Sequence, residues 1–110
     1  MLHNLTNAAA AVLLATLAAD AGAARATSIP FADLGNIEDW RAEGHDAMLI
    51  ESQRGQWYRA TFYAPCYELP FAETVGFVTE PGGSLSKFSS IVAGGQRCWF
   101  KTFEKTAPPE

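Results

Sequence analysis

Residues 56–64 read QWYRATFYA, and their periodicity decides the fold. In an extended chain Tyr58, Ala60, Phe62 and Ala64 share one face, while Trp57, Arg59, Thr61 and Tyr63 share the other. Pro65 ends this strand just before Cys66, because proline cannot donate to a sheet ladder. Upstream, Arg54-Gly55 is a tight connection from a second apolar segment, AMLIES (47–52), which itself follows a turn over residues 43–46. NIEDWRA (36–42) reads as a short strand or a single helical turn. Downstream, AETVGFVT (72–79) reads as another strand, closed by Pro81-Gly82-Gly83. Ser84 is placed to cap one helical turn in which Leu85 and Phe88 point inward. Gly94-Gly95, between SSIVA (89–93) and QRCWFKTF (96–103), is a hairpin signal. No stretch keeps apolar spacing of 3.6 over three turns. The expected fold is mainly β: one small antiparallel sheet of about five strands, curled or partly closed, with one short helical turn.

The start of the chain is of a different kind. Eleven of the alanines fall within residues 1–26 and eight in the rest, whereas all thirteen aromatic residues lie beyond position 30. AAAAVLLATLAA (8–19) is too short to cross a membrane as a helix, which takes about 20 apolar residues. It fits the apolar region of a secretory signal peptide. Ala24-Arg25-Ala26 offers small residues where a signal peptidase reads them, so cleavage after Ala26 is expected. The leader MLHNLTN carries no Lys or Arg, and the rival reading is an Ala-rich helix retained on a cytosolic protein. The expected organisation is a signal peptide (1–26), a small β domain (27–104) and a disordered tail (105–110). No transmembrane span is expected after cleavage.

Residues 27–110 carry Lys+Arg 7 and Asp+Glu 11, a net charge of -4. That balance argues against nucleic-acid binding, which needs a basic surface. A domain this small has a modest core and often uses a covalent staple. Cys66 and Cys98 are the two cysteines, and in an oxidising compartment a disulfide between them is expected. Parity supports it: Cys66 falls with Tyr58, Ala60 and Phe62, and Cys98 with Phe100. Two free buried thiols or a redox pair are the rival readings, although no Cys-x-x-Cys is present.

The opposite faces carry Trp57, Arg59 and Tyr63 on one strand, and Arg97, Trp99, Lys101 and Phe103 on the other. If those strands are neighbours, an aromatic and basic patch results, able to stack a sugar or hold an anionic group. Its bland alternative is that Arg and Lys stems merely cover packed rings.

Catalytic signals are weak. His45 stands beside Asp46 in a turn, where a solvated histidine is the plainer reading. Beyond the expected signal peptide, one histidine and two cysteines expected to pair cannot make a zinc site. Glu68 and Glu73 could form a carboxylate pair, but a domain of this size rarely builds the cleft. Glu38, Asp39, Glu43 and Asp46 lack the spacing of a calcium loop. Nucleophile-elbow, phosphate-loop and dinucleotide motifs are absent from the sequence. The expectation is no catalytic site, no metal and no cofactor.

An ordered series of short motifs runs along the chain: Ile29-Pro30-Phe31; Ile37-Glu38-Asp39-Trp40-Arg41; Trp57-Tyr58-Arg59-Ala60; and Ala64-Pro65-Cys66. It continues through Leu69-Pro70-Phe71-Ala72, Gly76-Phe77, Phe88-Ser89-Ser90-Ile91 and Gly95-Gln96-Arg97-Cys98. In this series the chain resembles a bacterial family of small exported proteins known as domain of unknown function 6491. It departs from that family at Ser28, where members often carry a cysteine, which leaves Cys66 and Cys98 as each other's only intramolecular option. The resemblance implies a periplasmic or secreted protein of Gram-negative bacteria and implies no activity. The functional expectation is a non-catalytic binding module at the cell envelope, whose partner is a protein, a glycan or an anionic head group. The alternative is a small inhibitor or an accessory protein stabilising another exported protein, with Pro65–Phe71 (PCYELPF) as its contact loop.

Overall fold

QWYRATFYA does form a strand, and it lies inside an antiparallel sheet. In chain order the strands are β1 (Ser28–Ile29), β2 (Ile37–Glu43), β3 (Ala47–Ser52), β4 (Trp57–Phe62), β5 (Gly76–Val78), β6 (Leu85–Ser86), β7 (Ser90–Ala93) and β8 (Gln96–Thr106). The structure is a computed structural model, and it describes residues 27–110. The expected signal peptide lies outside the described residues.

Six strands form one sheet in the order β2-β3-β4-β8-β7-β5, and β1 pairs with β6 in a small separate ribbon. β2, β3 and β4 are a simple meander. The last strand then enters between β4 and β7. Its first part, Gln96–Trp99, pairs with β7, and its second part, Phe100 to Thr106, pairs with β4. A four-stranded lobe (β2-β3-β4-β8) and a three-stranded lobe (β8-β7-β5) therefore share one long strand, and the sheet curls around the core they enclose. The segment NIEDWRA resolves as strand rather than helical turn, its charged side chains shielding an open sheet edge.

The inner face carries Met48 and Ile50 of β3, Tyr58, Ala60 and Phe62 of β4, Ile91 and Ala93 of β7, and Cys98, Phe100 and Phe103 of β8. Trp40 and Phe77 close the two sides. Phe103 corrects the sequence expectation, which placed it outward with Trp99 and Lys101. The register slips at Lys101: Thr61 faces Thr102, yet Phe62 faces Phe100. One extra residue in β8 makes a bulge, so alternation restarts and Phe103 turns inward. It is 4% exposed. Its ring stacks between Tyr58 at 5.2 Å and Phe100 at 5.9 Å. Burial of an aromatic ring is the physical reason the alternation breaks there.

Two other expectations also change. Ser84 caps no helix: Leu85 is buried as expected, but it belongs to strand β6, and Phe88 is exposed. The short helical turns instead lie at Ala32–Leu34 and Leu69–Phe71, both 3-10. The final strand runs through Thr106, two residues past the expected domain end, because Thr106 still pairs with Trp57.

Candidate functional site

The disulfide organises one end of the sheet. Cys66 and Cys98 are bonded, with their Cα atoms 5.7 Å apart, and both are buried. The bridge ties the loop after β4 to the start of β8. Three further contacts fix that loop. The Cys66 amide donates to the His45 carbonyl at 2.7 Å. The Gln96 side chain donates to the Pro65 carbonyl at 3.1 Å and accepts from the Glu68 amide at 3.2 Å. Leu69 inserts into the core and is fully buried. Opposite it, the Gly94-Gly95 turn takes positive φ at both residues, as a two-residue hairpin demands. A Cβ at Gly94 would press on the Glu68 side chain at 3.0 Å. The loop from Tyr63 to Phe71 is thus held against the hairpin by covalent, hydrogen-bonded and apolar contacts together.

That frame displays aromatic rings. Tyr63 and Trp99 are neighbours across the β4–β8 seam, where the Tyr63 amide donates to the Trp99 carbonyl at 3.1 Å. Tyr63 is 72% exposed and Trp99 52%. The Arg97 guanidinium stacks on the Trp99 ring at 4.4 Å while its Nε donates to the Ser90 hydroxyl at 2.7 Å. A guanidinium so placed is fixed in orientation and keeps its outer N–H groups available. Between Tyr63 and Trp99, over Pro65, Gln96 and Cys98, is a notch of about 80 Å³. Lys101 is exposed at the bulge, two residues further along β8.

The six residues expected to form one patch therefore separate into two groups. Tyr63, Arg97, Trp99 and Lys101 stand together at the disulfide end. Trp57 lies at the far end of β4 and is 7% exposed. Six residues of extended chain separate it from Tyr63, about 20 Å. Arg41 from β2 covers its ring at 5.7 Å. Arg59 is bound to Glu43, Nε to Oε1 at 2.7 Å. These two diagonals cross over Ala47 and Leu49 of β3, so on this half the basic stems cover packed side chains. Regular alternation fixes which face a residue takes; it carries no information about what a neighbouring strand lays over it.

The alternative loop divides likewise. Within Pro65–Phe71, Cys66 and Leu69 are buried while Tyr67 is 61% and Phe71 83% exposed. Tyr67 leans on His45 with ring centroids 5.4 Å apart. His45 Nδ1 lies 3.4 Å from Asp46 Oδ1, and both side chains are largely in solvent. The neighbours of His45 are thus a carboxylate and a phenol, with no serine or threonine hydroxyl among its described contacts. Among the described residues no group of three or more His, Cys, Asp or Glu is placed to hold a metal ion, and no helix is long and apolar enough to cross a membrane.

The sequence reading missed two features. One is the Gln96 amide clamp, since a glutamine after a Gly-Gly turn has no distinguishing signature. The other is a knot of two buried serines on a half-buried glutamate, where the Ser86 hydroxyl donates to Glu80 at 2.6 Å and the Ser89 hydroxyl accepts from the Ser86 amide at 3.0 Å. Clustered serines after Pro81-Gly82-Gly83 were its one available signal.

Comparison with curated proteins and with solved structures finds no match. Residues 1–109 match a family described as a family of unknown function, DUF6491. With the match spanning nearly the whole chain, this protein belongs to the DUF6491 family.

Proposed function

We propose that this protein is an exported, non-catalytic binding module of the bacterial cell envelope, and that it binds through the surface of Tyr63, Arg97, Trp99 and Lys101. One observation carries the reading: two exposed rings on neighbouring strands, one bearing a stacked guanidinium, stand on a frame already fixed by the Cys66–Cys98 bridge. Holding the contact groups in place before binding lowers the entropy lost on association. Exposed aromatic and arginine side chains are also the residue types that dominate binding energy. The notch favours a protruding group, such as a sugar ring or a side chain, over an enclosed small molecule, which takes about 300–1,000 Å³. Trp99 is the reporter, because Trp57 is buried and Trp40 partly buried.

The test is co-sedimentation with the envelope fraction of a Gram-negative cell, alongside acrylamide quenching of tryptophan fluorescence. Wild type is retained and its Trp99 emission becomes protected. Trp99→Ala and Arg97→Gln each reduce retention about tenfold or more, as loss of a hot-spot side chain does, while Trp57→Phe keeps it. Retention unchanged in both Trp99→Ala and Arg97→Gln refutes the surface assignment. Fractionation of the producing cell tests export directly.

A second reading rests on Tyr67 and Phe71, which project from a loop whose alternate residues are anchored in the core. That arrangement suits an inhibitor or accessory protein that presents a rigid loop to another exported protein. Loss of partner binding in Tyr67→Ser and Phe71→Ser, with Trp99→Ala silent, selects it.

A further inference from the structure

The opposite end of the sheet holds a cavity of about 450 Å³. It opens where β3 turns into β4 and where β8 ends, and Ile29, Pro30 and Phe31 form one wall. Its polar lining includes Arg54, Lys105 and Tyr58, with Asn36, Ser52 and Gln56 beside them. No carboxylate lines it. In a chain of net charge -4, a cavity lined by two cations and no acid has a local potential opposite to that of the whole protein.

The strand register explains how the cations arrive there. After the bulge, Phe103 points into the core, and Lys105 takes the same parity two residues later, directly across from Tyr58. A lysine on the inward side of a strand end would be costly inside the core; here it opens into the cavity instead. Arg54 stands in the β3–β4 turn and acts on the Tyr58 phenol through its charge. Neither Arg54 nor Lys105 has a carboxylate partner among the described residues. The Tyr58 hydroxyl makes no hydrogen bond to any described residue, yet it is not a sealed, unsatisfied group, so it reaches the cavity space. The rim is held under strain: Phe31 has φ 57, the left-handed region, although it is not glycine. It is pinned there by the Asn36 side chain donating to the Pro30 carbonyl at 2.7 Å and by the Ala32 amide donating to Gly83 at 2.8 Å. Strain of that kind persists where the surroundings impose it and clusters at ligand sites.

We propose that this cavity binds a small organic anion with an apolar body. Its negative group, a carboxylate or a phosphate monoester, lies between Arg54 and Lys105 and accepts from the Tyr58 hydroxyl. The apolar body rests on Ile29, Pro30 and the Phe31 ring. The volume is within the range of small-molecule sites, about 300–1,000 Å³. The site is distinct from the Tyr63–Trp99 surface and does not depend on it.

Calorimetric titration of the disulfide-bonded protein tests the proposal, with hexanoate and phenyl phosphate as probes, hexanol as the uncharged control and inorganic phosphate as the body-less control. At least one organic anion binds with Kd at or below about 1 mM. Arg54→Gln and Lys105→Gln each weaken it about tenfold or more, the loss of one charge-assisted hydrogen bond. Arg97→Gln leaves it unchanged. The probe that binds identifies the head group. Four results overturn the proposal: neither organic anion binds; hexanol binds as well as hexanoate; inorganic phosphate binds as well as phenyl phosphate; or Arg97→Gln weakens binding as much as Arg54→Gln. Unchanged thermal unfolding of the two cavity variants shows that a lost affinity is not a lost fold.

Discussion

Replacing Phe103 separates two descriptions of β8. If β8 alternated regularly from Cys98 and Phe100, residue 103 would face solvent and its side chain would be nearly dispensable, within about 0.5 kcal/mol. The bulge at Lys101 puts it instead between the Tyr58 ring at 5.2 Å and the Phe100 ring at 5.9 Å. Phe103→Ala then removes a buried aromatic side chain and leaves a cavity, at a cost of about 3–5 kcal/mol. The expected stability of a domain this size is about 4–13 kcal/mol, so that variant can unfold outright. Phe103→Leu is the sharper probe. It keeps most of the apolar volume and forfeits two ring pairs, each worth about 0.5–1.5 kcal/mol, for a loss of about 1–3 kcal/mol. At roughly 4–8 °C per kcal/mol, the midpoint of thermal unfolding falls by about 4–24 °C. The assay is urea unfolding followed by circular dichroism with the disulfide intact, with Phe88→Leu as an exposed-ring control. A Phe103→Leu loss under about 0.5 kcal/mol, equal to that of Phe88→Leu, refutes the bulge and the inward ring with it.

Two further predictions follow from stability. Cys66 and Cys98 are 32 residues apart, so opening their bridge, by reduction or by a double change to alanine, costs about 4 kcal/mol from unfolded-chain entropy. Unfolding in urea with and without reductant measures it; a difference under about 1 kcal/mol means that the bridge does not restrain the unfolded chain. Burial raises the Tyr58 pKa above its usual value of 10.0, outweighing the opposite pull of Arg54. The folded protein then holds this proton where the unfolded chain has released it. Stability from Tyr58 is therefore full below pH 10.0 and is lost as pH rises through the higher folded pKa. Tyr58→Phe flattens that alkaline decline in urea unfolding followed against pH; an unchanged decline assigns it to other groups.

Much of the fold was legible because strands announce themselves by alternation and turns by glycine. AMLIES is β3 residue for residue, and Gly94-Gly95 is the β7–β8 turn. The disulfide followed from two cysteines in a small domain expected in an oxidising compartment, with strand parity in support. Phe103 was misread because a bulge is invisible to a strict period of two. Yet the sequence held a clue, in that Phe100 and Phe103 cannot both face inward on a regular strand. The binding surface was half legible. Tyr63, Arg97 and Trp99 come together by pairing and register, whereas the cover over Trp57 depends on Arg41, one strand further away. The cavity at Arg54 and Lys105 was not legible at all, since it joins a turn to a strand end fifty residues later through a register that the bulge shifts.

The place of β8 has a consequence for when the molecule can exist. The meander of β2, β3 and β4 is complete halfway along the chain, but β4 remains an open edge until the last strand arrives. Phe100 and Phe103, which fill the core, lie within the final eleven residues, and Cys98 precedes them by only two. Until β8 is in place, therefore, the chain has no closed core and Cys66 has no partner thiol. Folding waits for β8, and the pairing that finishes it joins segments far apart in sequence, which is intrinsically slow. Without Phe100 to Thr106, β4 would keep β3 on one side and expose its other edge to pairing with a second chain.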